Sequence, residues 1–244
     1  SPATPTRFGS SRPASSPARA AADAAREVVA SGGTVADLAG SSMTHAWLFT
    51  GPPGSGRSVA ARALAAALQC DDAGEPGCGR CRACTTVLAG THADVRSIAP
   101  DGLSIAVKQM REVVADASRR PSVGHWQIVL IEDADRLTEQ AGNALLKMVE
   151  EPPGQTIVLL CAPTVDPEDI SVTLKSRCRH VPLVTPSAPA IAAVLERDGI
   201  DAERAAWDAG VSGGHIGRAR RLAQDETSRK KRATALKLLA SPAL

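Results

Sequence analysis

The stretch Gly51-Pro52-Pro53-Gly54-Ser55-Gly56-Arg57-Ser58 follows the apolar run Ala46 to Phe49 and opens directly into an Ala/Leu-rich helical pattern from Arg57 to Leu68. A glycine loop between a strand and a helix lets backbone N–H groups close around phosphate oxygens, and the helix start adds its partial positive charge. The residue that usually follows the last glycine is lysine, whose compact ammonium reaches between the β- and γ-phosphates; here it is Arg57, whose planar guanidinium has a different reach. Two readings stand. The loop holds a nucleotide with reduced catalytic ability, Ser58 offering its hydroxyl to Mg²⁺, or it is a strand-to-helix turn with no ligand.

Around the loop, short apolar runs alternate with helical patterns: Asp94 to Ile98, a helix near Ile105 to Ser118, Gln127 to Ile131, a helix over Thr138 to Val149, and Thr156 to Cys161. Such alternation predicts a parallel sheet covered on both faces. A last strand is expected at His180 to Val184, and from Ile191 to Leu239 only helical periodicity remains, broken at Gly199, Gly210 and Gly213-Gly214. The expected division is a Ser/Pro/Ala-rich arm over 1–20, a nucleotide-binding-type domain over 21–185 opening on a helix from Ala21 to Ala30, and a helical domain over 186–244. With an aromatic share of 2%, the core has to be built from Ala, Val, Leu and Ile, and platforms for stacking bases are scarce. The formal charge of +2 selects no partner. No apolar run is long enough for a membrane span and the start lacks the order of a signal peptide, so the expected location is the cytoplasm, with no membrane partner. A start at Ser1 without methionine and an end at Leu244 just after a helical pattern lead us to expect a piece of a longer protein.

Two further clusters carry chemistry. The strand Gln127 to Ile131 ends in Glu132-Asp133-Ala134-Asp135, where a phosphate-loop enzyme would present a metal-holding Asp followed by a catalytic Glu. The order is swapped, and placement errors near 1 Å cost about a hundredfold in rate. A solvated acidic turn is the competing reading. Cys70, Cys78, Cys81 and Cys84 form a Cys-x7-CxxCxxC pattern in a segment rich in turn residues. Four thiolates at this spacing suit tetrahedral Zn²⁺, and a complete thiolate set leaves no open position for catalysis, so the ion would be structural; reduced spectator thiols are the alternative. Cys161 and Cys178 are expected to be separate buried thiols.

The phosphate loop, the cysteine insert after its helix, the stretch Asn143-Ala144-Leu145-Leu146-Lys147-Met148-Val149-Glu150-Glu151-Pro152-Pro153 and the triplet Ser176-Arg177-Cys178 together resemble the bacterial clamp-loader AAA+ subunits over roughly residues 44–224. The resemblance implies an α/β AAA+ P-loop fold with a five-stranded parallel sheet in the order 5-1-4-3-2, a small helical lid, and a helical collar domain that these residues do not include. Within that family, gamma and tau subunits carry intact ATP sites, whereas delta prime subunits do not hydrolyse ATP and form the stationary member of a five-subunit ring. Arg57, the Glu132-Asp133 order, and Gly217 at the position where active members place a phosphate-sensing arginine (Arg218 falls one residue late) all favour the delta prime branch. The resemblance makes Arg177, expected between a helix ending at Lys175 and the next strand, an arginine finger for ATP held by a neighbouring gamma or tau subunit. It also implies gamma/tau and delta partners in a hetero-pentamer, a sliding clamp, primed DNA reached through the assembly, and a place in DNA replication by DNA polymerase III, a DNA-directed DNA polymerase and nucleotidyltransferase complex. Its cofactors would be structural Zn²⁺, with ATP or ADP and Mg²⁺ left open at the altered loop. The alternatives are an active gamma/tau-type ATPase or an autonomous P-loop NTPase.

Overall fold

Five short strands, β1 (Ala46–Thr50), β2 (Val95–Ile98), β3 (Gln127–Ile131), β4 (Thr156–Ala162) and β5 (Arg179–Pro182), pair in the order β2-β3-β4-β1-β5. Every pairing is parallel. This is the order implied by the resemblance, read from the opposite edge. The computed structural model describes residues 45–72 and 77–224, with Thr227, Lys230, Lys231 and Thr234. The expected arm over 1–20, the helix from Ala21 to Ala30 and the stretch 235–244 lie outside the described residues.

The connecting helices are α1 (Arg57–Leu68), α2 (Arg82–Leu88), α3 (Val107–Ala117), α4 (Glu139–Glu150) and α5 (Val172–Arg177), with a 3₁₀ turn at Ala134–Arg136; α6 (Ala188–Arg197), α7 (Ala202–Val211) and α8 (Ile216–Gln224) follow β5. The central strands β1 and β4 are buried at every position, whereas β5 at the edge is not. Strands covered on both faces read as unbroken apolar runs, which is why alternation is missing from AWLFT and TIVLLCA. The pleat still sorts the side chains. Trp47 and Phe49 pack with Ala60, Leu64 and Val87 on one face, while Ala46 and Leu48 pack with Met110, Leu145 and Leu174 on the other. Alanines at 60, 61, 63, 65, 66 and 67 are all buried, so α1 contributes small side chains to the sheet face. A third apolar cluster, including Ile191, Leu195, Ala205 and Ala219, joins α6, α7 and α8. Among the described residues no helix is long and apolar enough to cross a membrane.

Several boundaries differ from the sequence reading. β5 runs over Arg179–Pro182 rather than His180 to Val184, and α5 extends to Arg177, which is therefore the last helical residue. Helix α2, inside the cysteine segment, was not expected. It starts because the Cys81 side chain accepts the Cys84 N–H at the N-cap, so a cysteine does the work usually given to serine or aspartate. Cys161 is buried as expected, while Cys178 is only partly buried.

Asp94 joins β2 to the loop before β3. Its buried carboxylate accepts the N–H groups of Ser122 (2.7 Å), Val123 (2.8 Å) and Gly124 (2.6 Å) and the Ser122 hydroxyl (2.7 Å). Burial by itself would raise its pKa, but the donors, led by the Ser122 and Gly124 N–H groups, outweigh burial and hold the carboxyl down at about 2. Because the folded pKa lies below the usual value of about 4, this contribution is complete above that value and is lost as pH falls through about 2. Asp94→Ala strands several buried N–H groups and is expected to destabilise the fold by about 3 kcal/mol or more, read from chemical denaturation at neutral pH; an unchanged midpoint would contradict this role.

Candidate functional site

Because all strands run the same way, the C-terminal ends of β1, β3 and β4 come together, and with them Gly51 to Ser58, Glu132-Asp133 and Cys161. The loop is fastened by Gly51 N–H donating to the Pro163 carbonyl and Ser55 N–H to the Pro52 carbonyl, each at 3.0 Å. Pro52 and Pro53 are exposed on its outer side. Gly54 and Gly56 have φ of 90° and 89°, and Gly56 is the N-cap of α1. A Cβ on Gly51 would lie 2.5 Å from the Leu183 carbonyl oxygen and 2.6 Å from Ser55 Oγ, so the loop is pressed against the end of β5. Ser55 Oγ is buried and has no hydrogen-bond partner among the described residues.

Arg57 is drawn inward. Its Nη1 donates to the Gly51 carbonyl at 2.9 Å and its Nη2 lies 3.6 Å from Asp133 Oδ1, with the side chain only 13% exposed. A guanidinium can span a backbone carbonyl and a carboxylate together because its donors are fixed in one planar fork. Asp133 sits in the left-handed region at φ 50°, which turns it toward the loop as the 3₁₀ turn begins. Glu132 points elsewhere: it is ion-paired with Arg62 of α1 and accepts the Ser97 hydroxyl at 3.3 Å. The swapped acids therefore serve separate partners within the protein. Cys161 lies beside this charge cluster, and burial, followed by the field of Glu132, pushes its thiol up to about 12, so it is uncharged at neutral pH.

A cleft of about 310 Å³ separates the loop from α8, lined by Gly54, Gly56, Ser58, His215, Gly217 and Arg220. His215 closes one side. A Cβ on Gly54 would stand 2.7 Å from its Cβ, and its Nδ1 accepts the Arg218 N–H at 3.2 Å, capping α8. Gly217 offers no side chain, and Arg218 turns away to the Ser212 carbonyl at 3.4 Å. Arg220, which the sequence reading passed over, lines the cleft and pairs with Asp198 at 2.8 Å. Its spacing of three from Gly217 places both on one helix face, the signal that identifies it.

The four cysteines converge as their spacing suggested. Their sulfurs all lie within 4.8 Å of one another, with Cys70 Sγ 3.7 Å from Cys78 Sγ and 3.9 Å from Cys81 Sγ. Backbone N–H groups of Asp72, Cys81 and Cys84 point at Cys70, Cys78 and Cys81 sulfurs respectively. Burial raises the Cys84 thiol, whereas at Cys78 the N–H groups of Arg80 and Cys81 overcome burial and lower it. The arrangement is a cluster able to hold a metal ion.

Arg177 lies apart, at the C-terminus of α5. Its Nη2 meets Glu150 Oε1 at 2.8 Å, each side chain 39% exposed, and Nη1 donates to the Thr173 carbonyl at 3.1 Å and the Ser176 hydroxyl at 3.3 Å. Neighbouring Arg179 is used differently, its guanidinium lying 4.8 Å over the Trp47 ring.

The family model described as DNA polymerase III, delta subunit matches residues 34–187. DNA polymerase III subunit delta' of Bacillus subtilis is 36% identical over 140 residues, which cover 57% of this chain and 42% of that protein. DNA polymerase III subunit tau of the same organism is 34% identical over 165 residues, 66% of this chain and 28% of that one. The matched stretch thus spans less than half the length of these relatives. Among solved structures, the RuvB Holliday junction branch migration motor of Thermotoga maritima aligns with a TM-score of 0.51 at 16% identity, over 85% of this chain and 59% of that one. That likeness is one of fold, and the fold is of the α/β AAA+ type.

Gly54 tests the packing of α8 on the loop. Gly54→Ala combines a φ of 90° with a collision against His215 and is expected to cost about 1–3 kcal/mol in chemical denaturation. Adding His215→Ala should not restore the loss in full, because the Cβ and Cα of residue 215, 2.7 Å and 2.8 Å from the new methyl, remain. A Gly54→Ala protein as stable as the parent would contradict this contact.

Proposed function

Since the chain belongs to the DNA polymerase III delta-subunit family, on the delta prime branch related to gamma and tau, we propose that it is the stator of a clamp loader. In this reading it hydrolyses little or no ATP itself and supplies Arg177 to ATP bound by a neighbouring gamma or tau subunit. The assembly would be a cytoplasmic hetero-pentamer that includes a delta subunit and loads a sliding clamp on primed DNA during replication. Residues 21–185 would form the AAA+ domain and 186–244 the lid, with the collar domain supplied by the rest of the protein.

The observation that carries the reading is the inward turn of Arg57. A cation that serves catalysis has to face the β- and γ-phosphates; this one is held by the Gly51 carbonyl and Asp133. Glu132, at the metal-holding position, is likewise engaged by Arg62. In this reading the charge for transition-state stabilisation next door comes from Arg177, whose exposed ion pair is weak enough to exchange for phosphate. A finger supplied in trans acts on charge developing over the phosphoryl oxygens, and a planar guanidinium can grip two of them.

The cysteine cluster suits Zn²⁺ held by Cys70, Cys78, Cys81 and Cys84. Tetrahedral coordination with Zn–S bonds of about 2.3 Å sets sulfurs about 3.8 Å apart, close to the 3.7 Å and 3.9 Å separations here. The ion would supply crosslinking of the insert to the end of α1, with no open position for chemistry. Purified metal-replete protein is expected to contain one zinc per chain by elemental analysis, and Cys84→Ser to lose most of it; protein without zinc would refute the site.

For the finger, the full-length protein would be reconstituted with its loader partners, clamp and primed DNA. Arg177→Ala should keep its zinc and its unfolding midpoint while ATP turnover at the adjacent site falls by about 10³. Arg119→Ala, an exposed arginine, is the control. Undiminished turnover with Arg177→Ala would refute the assignment.

A further inference from the structure

Two of the strings that carry the family resemblance, the one ending Glu150-Glu151-Pro152-Pro153 and the triplet Ser176-Arg177-Cys178, are far apart in sequence yet meet through one ion pair, Glu150 Oε1 to Arg177 Nη2 at 2.8 Å. We propose that Glu150 is a positioning residue that holds the Arg177 guanidinium stowed against its own subunit until a neighbouring phosphate displaces it. The proposal rests on the reading of Arg177 as a finger in trans.

Glu150 is the last residue of α4. There its carboxylate meets the negative end of the helix dipole, so it does not stabilise the helix that carries it. Its favourable interaction lies in α5. Arg177, in turn, is folded back along its own helix, Nη1 reaching the Thr173 carbonyl at 3.1 Å and the Ser176 hydroxyl at 3.3 Å. Together these contacts engage both terminal nitrogens of the guanidinium, and among the described residues Nε has no hydrogen-bond partner. A phosphoryl group gripped by two parallel N–H bonds needs donors that Glu150 and Thr173 now occupy. Carboxylate and phosphate are therefore competitors for Nη2.

The pair is made to exchange. Both side chains are 39% exposed, water reaches them, and a pair of this kind shifts an equilibrium by no more than about fivefold. Such a hold suppresses stray engagement in the free subunit and yields to a multiply charged phosphate at the subunit boundary.

Glu150→Gln tests this directly, because it keeps the shape and the acceptor and removes only the charge. In the loader reconstituted from the full-length protein, clamp and primed DNA, turnover at saturating ATP is expected to rise about two- to fivefold. Two companion variants fix the cause. The rise should vanish in Glu150→Gln/Arg177→Ala, and Glu151→Gln, the same charge change one residue on, should leave turnover at the parent level. Raising salt should shrink the gain, since screening already loosens the parent pair. A purely structural role for Glu150 would lower turnover together with the unfolding midpoint. Turnover at or below the parent level with Glu150→Gln, in preparations where Arg177→Ala lowers it, overturns the stowing role and leaves the finger standing. No effect of Arg177→Ala overturns both.

Discussion

Strand β1 is hydrogen-bonded in parallel to β4 on one side and β5 on the other, and the functional geometry follows from that placement. A parallel neighbour on each side fixes where β1 ends and which way its last peptide faces. Gly51 N–H is taken by the Pro163 carbonyl beyond β4, and the Thr50 carbonyl is taken by Leu183 N–H beyond β5. The loop thus begins clamped between two chain segments, too close to Leu183 and Ser55 for any side chain at position 51. From this fixed start the chain can only fold back into α1, and Arg57 is delivered over the Gly51 carbonyl with Asp133 of the adjoining strand end beside it.

The contrast between Arg57 and Arg177 is one of solvent as much as of partner. Arg57 is 13% exposed and bonded to a backbone carbonyl that cannot move without disturbing the sheet. Removing it from that position would leave Asp133 and a carbonyl to find other partners. Arg177 and Glu150 are both wet, and an ion pair in water is readily traded for another anion. One arginine is held inside the loop by fixed partners; the other lies at the surface in a pair that water reaches.

Much of this was legible in the sequence because it is local. Helix α1 begins at Arg57 and ends at Leu68 as its Ala/Leu pattern indicates, and β3 matches the run Gln127 to Ile131. Strand order was supplied by resemblance, since the pattern within a strand tells which faces are buried and not which strands lie beside it. What the sequence concealed depends on partners far apart in the chain. Nothing near His215 announces that it packs on Gly54, and nothing near Glu150 announces Arg177. Helix α2 was hidden because a cysteine side chain serves as its cap, and the end of α5 was set two residues early although Ser176 and Arg177 carry no stop signal and continue the helix to its C-cap at Cys178.

The central claim is that the chain's own phosphate loop is closed to catalysis, and nucleotide turnover by the isolated full-length protein tests it most directly. Single-turnover measurement with radiolabelled ATP, Mg²⁺ and an excess of protein isolates the chemical step from product release. The account predicts hydrolysis indistinguishable from buffer alone, with Arg57 remaining on Gly51 and Asp133. Mg²⁺-dependent hydrolysis clearly above that background, abolished by Arg57→Ala, would show instead that Arg57 serves as the catalytic cation and would contradict the account.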